Sequence, residues 1–267
     1  MFVVALTYLA IGAVAGALAG LLGVGGGLIV VPLLVISFTR QGLPAASMMH
    51  LAIGTSLASI VFTSFSSLRA HDRRGAVDWG IVRRITPGIM AGTFCGTWVA
   101  SRLSTVFLKW FFAVFLYLVA AQMFLDRKPR ASREIPGVVG TSAVGAGIGV
   151  ISSLVGIGGG SLSVPFMSWC NIPLHRAIGT SAAIGLPIAL AGAAGYIVNG
   201  LGSPDLPPHA LGYVSLPALA GIVFASIATA PLGARWAHRL PVPRLKRAFA
   251  LLLLVMGTRL LFSLLAG

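Results

Sequence analysis

The 267-residue chain is 57% hydrophobic and only 9% charged, and its formal net charge is +14. Soluble domains carry about 25% charged residues, so this composition excludes a water-soluble globular protein and indicates an integral membrane protein. A large positive charge would suggest a nucleic-acid partner in a soluble protein. Here the basic residues fall in short loops between apolar runs, a pattern that orients a chain in a bilayer, so we expect no nucleic-acid partner.

Ten apolar runs follow one another along the chain. Two of them, 28–38 and 161–170, are too short to cross a bilayer upright, and they predict half-helices or re-entrant segments. The first run lacks the basic residues that open a signal peptide, so we expect it in the mature protein. The eight longer runs predict membrane helices at 2–22, 44–68, 81–101, 105–125, 137–155, 174–198, 210–232 and 243–265.

Two sequence blocks occur twice and in the same order. GVGGGLIVVP at 23–32 returns as GIGGGSLSVP at 156–165. HLAIGTS at 50–56 returns as HRAIGTS at 175–181. The shared order indicates that the chain arose by duplication of one membrane unit.

Loop charges predict that the two repeats lie upside down relative to each other. Lysines and arginines crowd three segments, at 69–84, 126–136 and 235–247. The positive-inside rule places these three segments in the cytoplasm, whereas the loop at 199–209 carries no Lys or Arg and lies outside. The run 44–68 therefore starts outside, its counterpart 174–198 starts inside, and both chain termini lie outside.

The predicted fold is thus an all-α polytopic membrane protein built from two inverted-topology repeats. Each repeat holds a broken or re-entrant helix pair and three full spans. The first transmembrane repeat covers 1–125, a cytoplasmic linker covers 126–136, and the second transmembrane repeat covers 137–267. Inverted repeats with interrupted helices recur in secondary transporters, so we expect a transporter of the cytoplasmic (inner) membrane.

The glycine triplets predict two helix breaks that meet in the membrane. They consist of Gly25, Gly26, Gly27, Gly158, Gly159 and Gly160. A half-helix that starts after such a break presents free N–H groups and the positive end of its dipole, which favour an anion. Pro32 and Pro165 would kink or end these short helices. The alternative is that the glycines serve only close helix packing.

The positions of the acidic residues also bear on the charge of the substrate. The chain has five, and all of them map to loops or span ends: Asp72, Asp78, Asp126, Glu134 and Asp205. Transporters of cations and protons usually place carboxylates inside the membrane. Their absence from the apolar runs predicts a small anionic substrate.

Hydroxyl groups beside the breaks are candidate substrate donors. They belong to Thr55, Ser56, Ser161, Ser163, Thr180 and Ser181. The first repeat has Leu28 and Val30 where the second has Ser161 and Ser163, so we expect more polar contacts at the second break. The alternatives are bonds to the backbone or between helices, and N-capping of the half-helix by Ser161.

Three basic residues are candidates for a gate or for attracting an anion: His50, His175 and Arg176. A histidine can contact an anion or accept a proton near neutral pH. With inverted repeats, His50 lies toward the outside and His175 toward the cytoplasm. The alternatives are histidines satisfied by water or a carbonyl, and an Arg176 that only obeys the positive-inside rule.

The repeated glycine block and the A-I-G-T-S block after each copy resemble the TauE/SafE family of membrane permeases, the sulfite exporter family. The resemblance covers nearly the whole chain, including its duplication. It implies export or uptake of a sulfur-containing anion such as sulfite, sulfoacetate or another organosulfonate. We therefore expect a permease that works by alternating access.

Two alternatives stay open at this point. One is an anion channel, which would share the pocket but not the transport cycle. The other is a membrane-embedded enzyme or assembly factor acting on a thiol or a lipid through Cys95 and Cys170, although small buried side chains are the simpler interpretation of these cysteines. The sequence shows no nucleophile–base pair and no metal-ligand cluster, so we expect no enzyme, no cofactor and no metal.

Overall fold

The fold is described by a computed structural model, which covers residues 2–22, 26–125, 134–204, 206–237 and 242–265. Within these ranges the chain forms ten helices and one two-stranded hairpin. The helices of the first half are α1 (Phe2–Leu22), α2 (Gly27–Arg40), α3 (Met48–Asp72), α4 (Trp79–Arg102) and α5 (Thr105–Leu125). Those of the second half are α6 (Val138–Val155), α7 (Gly160–Trp169), α8 (Leu174–Gly200), α9 (Leu216–Ala237) and α10 (Val242–Leu265).

Five helices are long and apolar enough to cross a bilayer, namely α3, α5, α6, α8 and α10. The predicted all-α polytopic membrane fold is confirmed. Helices α2 and α7 contain 14 and 10 residues, or about 21 and 15 Å at 1.5 Å per residue, which is less than the roughly 30 Å of a bilayer core. They are therefore the two short helices that the sequence predicted.

Helices at corresponding positions of the two halves pack in a reciprocal pattern. The most extensive contacts join α1 to α9 and α4 to α6, while α3 packs on α8 and α5 on α10. Helices α1 to α5 correspond in order to α6 to α10. Under this correspondence the α1–α9 pair matches the α4–α6 pair, and the α3–α8 and α5–α10 pairs each join a helix to its own counterpart. The two glycine breaks, before α2 and before α7, therefore flank the central α3–α8 pair.

Glycines allow the α1–α9 and α4–α6 pairs to approach closely. A Cβ atom at Gly92 of α4 would overlap the carbonyl oxygen of Ala146 on α6. On α1, a Cβ at Gly12 would lie 2.5 Å from the carbonyl oxygen of Ile222 on α9. Small residues at such positions let the backbones of membrane helices touch.

The structure corrects two local expectations. The run predicted as one segment over 210–232 begins with a hairpin, in which Ala210 pairs with Ser215, and α9 starts only at Leu216. Pro32 and Pro165 do not end their helices, because α2 continues to Arg40 and α7 to Trp169. Residues 126–133 of the predicted linker and Asp205 lie outside the described residues.

Candidate functional site

The two glycine breaks lie against each other. Gly27 begins α2, and a Cβ atom there would overlap the carbonyl oxygen of Gly156 and lie 3.1 Å from the Cα of Ile157. The hydroxyl of Ser56 on α3 donates to the same Gly156 carbonyl at 2.8 Å. Close packing is thus one role of Gly27, and only glycine fits there. Gly25 lies outside the described residues.

The second break ends one helix and starts another through two left-handed glycines. Gly156 has φ +75° and closes α6, and its N–H donates to the carbonyl of Ser152 at 2.8 Å. Gly159 has φ +76° and precedes α7, which has no side-chain cap. An L-residue with a Cβ is strained in this region of φ, so glycine is required at both positions.

The start of α7 leaves backbone donors available. The amides of Leu162 and Ser163 donate to the carbonyl of Gly159, at 3.0 and 2.8 Å. Within the part of the chain that the structure describes, the preceding amides of Gly160 and Ser161 have no hydrogen-bond acceptor. These two N–H groups and the helix dipole form the kind of donor set that binds anions at helix N-termini.

Two buried hydroxyls near the second break also lack partners. The side-chain oxygens of Ser152 and Ser161 are buried and have no hydrogen bond among the described residues. Ser152 is fully buried on α6, and its Oγ would lie 3.7 Å from a Cβ placed on Gly159. Leaving a buried hydroxyl without a partner costs about 1–3 kcal/mol, so both groups are candidate donors to a bound ligand. The interpretation of Ser161 as an N-cap is wrong, because Gly159 occupies that position.

The other two predicted serines contact each other. The hydroxyl of Ser163 lies 2.9 Å from that of Ser181 and 2.9 Å from the carbonyl of Gly159. Both side chains are buried. They connect the first turn of α7 to α8 beneath the free amides.

The first break offers fewer polar groups. Its N-cap, Gly26, is right-handed with φ −75°, and Leu28 and Val30 are buried apolar residues. A narrow cleft opens beside Gly26, where Ser59 and Thr63 contribute hydroxyls from α3. Leu28 and Val30 bring no polar group to the first break, and the greater number of substrate contacts expected at the second break stays a prediction.

The A-I-G-T-S blocks hold loops of the opposite half. Thr55 accepts a hydrogen bond of 2.9 Å from the amide of Ser215, just before α9. Thr180 accepts one of 2.9 Å from the amide of Asp78, just before α4. Both threonine oxygens are therefore occupied as acceptors, which agrees with the alternative of bonds to the backbone.

The glycine before each threonine admits the same loop. A Cβ at Gly54 would overlap the carbonyl oxygen of Tyr213, and one at Gly179 would overlap that of Ala76. We name the segments 76–78 and 213–215 the gate loops, because the sequence predicts a gate role for the basic residues beside them. Each gate loop packs on the helix start of the opposite half, at α8 and α3 respectively.

The three basic candidates adjoin these gate loops unequally. His50 is buried, its Nε2 lies 2.9 Å from the carbonyl of Ala100, and its ring lies 4.9 Å from that of Tyr213. His175 is exposed. Arg176 forms a 3.3 Å ion pair with Asp78. His50 and Arg176 thus each contact one gate loop, and His50 has the carbonyl partner that the alternative interpretation required.

The two cysteines differ in exposure. Cys170 is buried as expected, but Cys95 is exposed beside Phe94 on α4, so the expectation of burial is wrong for Cys95. Among the described residues, no three His, Cys, Asp or Glu side chains come close enough to hold a metal ion.

Comparison with known proteins decides the family. The family described as "Sulfite exporter TauE/SafE" matches residues 8–260. The chain belongs to the TauE/SafE family. It is 38% identical over 258 residues to a "Probable membrane transporter protein" of Haemophilus influenzae, which covers 96% of this chain and 98% of that protein. No solved structure matches the chain.

More distant relatives have the same character. A "Probable membrane transporter protein MJ0441" of Methanocaldococcus jannaschii is 29% identical, with 92% of this chain and 91% of that protein covered. A "Probable membrane transporter protein YdhB" of Bacillus subtilis is 28% identical, with 92% and 96% covered. This TauE/SafE chain is therefore an integral membrane permease for a small-molecule substrate rather than an enzyme.

Ser152 is a candidate site residue of this TauE/SafE permease that the sequence predictions did not include. The signal was present in the duplication. Aligning the two glycine blocks places Ser152 opposite Ala19, just as it places Ser161 opposite Leu28. The polar excess of the second repeat therefore begins before its glycine triplet.

Proposed function

We propose that the chain is a secondary transporter of a small sulfur-containing oxyanion such as sulfite, sulfoacetate or another organosulfonate. The anion binds at the second break, between the end of α6 and the start of α7. The observation that carries this proposal is the convergence of two unpartnered buried hydroxyls, Ser152 and Ser161, with the free amides at the uncapped start of α7. The sulfur chemistry of the substrate rests on the family to which the chain belongs.

The donor set suits an oxyanion. Sulfite and sulfonates present three negatively charged or partly charged oxygens, which accept hydrogen bonds and donate none when deprotonated. Backbone amides and serine hydroxyls supply donors without bringing a full positive charge into the membrane, where charge is costly. The described acidic residues, Asp72, Asp78 and Glu134, lie at helix ends or in loops and do not oppose an anion there.

The remaining predicted contacts complete the pocket as part of this proposal. Gly158 and Gly160 bring backbone to the anion without side-chain obstruction. Ser163 and Ser181 support α7 from beneath, and Gly26 with Gly27 provides the opposing wall. Gly25 lies outside the described residues and stays a prediction from the sequence.

Transport by alternating access follows from the duplication. The reciprocal pairing of α1–α9 with α6–α4, and of α3 with α8, supports two repeats related by pseudosymmetry. We infer that the repeats are inverted across the cytoplasmic membrane with both termini outside. The gate loops at 76–78 and 213–215 then lie on opposite sides, and closing them in turn gives access from one side at a time.

Adjacent residues couple the breaks to the gates. Thr55 holds one gate loop while the next residue, Ser56, donates to Gly156 in the second break. Thr180 holds the other gate loop while Ser181 contacts Ser163 of α7. A shift of the second break on anion binding is therefore transmitted through these adjacent residues to each gate loop, beside which His50, His175 and Arg176 lie.

Flux in proteoliposomes tests the proposal. Purified protein should catalyse saturable uptake and counterflow of labelled sulfite or sulfoacetate, and sodium or potassium alone should not substitute. Ser152→Ala should raise the KM for the anion about tenfold, because a hydrogen bond to a charged group contributes about 1.5–3 kcal/mol. The matched control is Ser153→Ala, since that equally buried hydroxyl already donates to the carbonyl of Val150 at 2.8 Å.

Three results would contradict the proposal. Non-saturating flux without counterflow would assign a channel instead of a transporter. Transport of simple cations with no response to any anion would contradict an oxyanion substrate. Equal KM values for Ser152→Ala and Ser153→Ala would remove the second break as the binding site.

A further inference from the structure

A second candidate site lies away from the breaks, in a groove between α2 and α10. The groove has a volume of about 190 Å³ and is open on one side. Apolar side chains form most of its wall, among them Val35 and Ile36 of α2 and Met256 and Leu260 of α10. We name it the α2–α10 groove.

Two arginines line the α2–α10 groove, one from each helix. Arg40 is the last residue of α2, and Arg259 lies five residues before the end of the apolar span Arg247–Leu264. Both residues are exposed. Among the described residues, the ion pair is that of Arg176 with Asp78, and no carboxylate pairs with either groove arginine. The groove therefore carries two uncompensated positive charges on an apolar surface.

The nearby hydroxyls do not offer donors of their own. Thr39 donates to the carbonyl of Val35 at 2.8 Å, and Ser263 donates to that of Leu260 at 2.7 Å. The guanidinium groups are consequently the donors that face the groove. A guanidinium presents a planar fork of N–H groups that matches the oxygens of a phosphate.

The position of Arg259 indicates where the ligand comes from. An arginine inside an apolar span is most costly at the helix centre and less so toward the interface, which its long side chain can reach. Its neighbours Val255 and Phe262 are exposed apolar residues, which a membrane protein presents to lipid. The groove thus combines an apolar, lipid-facing wall with paired positive charges near a helix end, where phospholipid phosphates lie.

We propose that the α2–α10 groove binds an anionic phospholipid. Its phosphate contacts Arg40 and Arg259, and its acyl chains lie along the exposed apolar face of α10. Two arginines without a carboxylate favour a headgroup with no amine, because an ammonium group would be repelled. Since α2 starts at the first break, a lipid bridging α2 to α10 stabilises the position of that break.

Binding of defined lipids to the delipidated full-length protein tests this proposal. Phosphatidylglycerol should bind in native mass spectrometry and raise the melting temperature in detergent, and phosphatidylcholine should do so at least tenfold more weakly. The double variant Arg40→Gln with Arg259→Gln should lose at least tenfold in phosphatidylglycerol affinity. Arg40→Lys with Arg259→Lys should retain part of it, because the charges remain and the planar fork is lost.

The matched control is Arg102→Gln. Arg102 also lies at a helix end, but its guanidinium stacks 4.5 Å above the ring of Trp98 and therefore has a partner within the protein. Phosphatidylglycerol binding should be unchanged in this variant. Circular dichroism of each variant checks that the helices are intact.

Three outcomes would overturn the proposal. Equal phosphatidylglycerol affinity in wild type and in the double glutamine variant would mean that the two arginines extend to the membrane–water interface without binding a lipid. A higher melting temperature with inorganic phosphate, but not with phosphatidylglycerol, would show that the groove binds a soluble anion. Equal binding of phosphatidylcholine would remove the role of charge. Because the readout is lipid binding rather than flux, failure here leaves the proposed transport function untouched.

Discussion

Thr55 and Thr180 occupy equivalent positions in the two repeated blocks, and each accepts a 2.9 Å hydrogen bond from the amide that precedes a long helix of the other half. The glycine before each threonine receives a carbonyl oxygen of the same loop. The repeated I-G-T sequence therefore has a structural meaning: it holds a gate loop in each half. The serine that follows then contacts a glycine break or its short helix.

Replacing either threonine by valine should destabilise the protein. Valine has nearly the same shape but cannot accept a hydrogen bond, so Thr180→Val leaves the amide of Asp78 unpaired. The expected loss is about 1–3 kcal/mol, measured by thermal or denaturant unfolding in detergent. Thr86→Val is the control, because that hydroxyl donates only to Val82 of its own helix. Unchanged stability of Thr180→Val would contradict the role given to the gate-loop bonds.

Gly159→Ala should damage both stability and transport. The alanine Cβ would overlap the side chain of Ile188, and Gly159 has φ +76°. A residue with a Cβ at this φ carries about 1–2 kcal/mol of backbone strain. The start of α7 would move, and the KM for the anion should rise. Gly147→Ala on α6 is the control, since no atom lies within 4 Å of its added Cβ and alanine is the better helix former. Equal effects of the two variants on melting temperature would contradict the geometry of the second break.

Removal of both cysteines should leave transport intact. Cys95 is exposed on the apolar face of α4 and Cys170 is buried at the end of α7. Anion uptake by Cys95→Ala with Cys170→Ala should remain within about twofold of wild type. Loss of uptake in a normally folded variant would support the alternative of a thiol-dependent enzyme or assembly factor.

The proposed inverted arrangement of the repeats can be tested with single cysteines in that background. Ala46 precedes α3 and His175 is the second residue of α8, and both positions are exposed. A membrane-impermeant maleimide should label Ala46→Cys from outside intact cells and label His175→Cys only after the cells are opened. Labelling of both from the same side would show that the repeats are parallel.

Apolar runs predicted the helices well because the same backbone requirement governs every segment in lipid: its hydrogen bonds must be satisfied within the protein. The exception shows the limit of this signal. Tyr213 and Val214 are buried in the hairpin before α9, so their apolar character reflects burial and not helical backbone. Gly212, with φ +54°, was the local mark of the turn.

The candidate site was predictable only in part, for a different reason. The glycine triplets and the serines of the second repeat could be identified because they repeat or differ at fixed positions. The partners of Thr55 and Thr180 could not, because Ser215 and Asp78 are distant in sequence and the contacts use backbone atoms, which any residue type supplies. A buried hydroxyl such as Ser152 becomes informative only when the structure shows that it has no partner.

The most direct test of the account is a structure determined with selenite, an analogue of sulfite that carries an anomalous scatterer. If the anion binds at the second break, a selenium peak should appear there. The selenite oxygens should lie within about 3.2 Å of the Ser152 or Ser161 hydroxyl or of the amides of Gly160 and Ser161. The peak should vanish in Ser152→Ala at subsaturating selenite and persist in Ser153→Ala. A selenium peak away from both breaks, with the second break unoccupied at saturating selenite, would contradict the central claim.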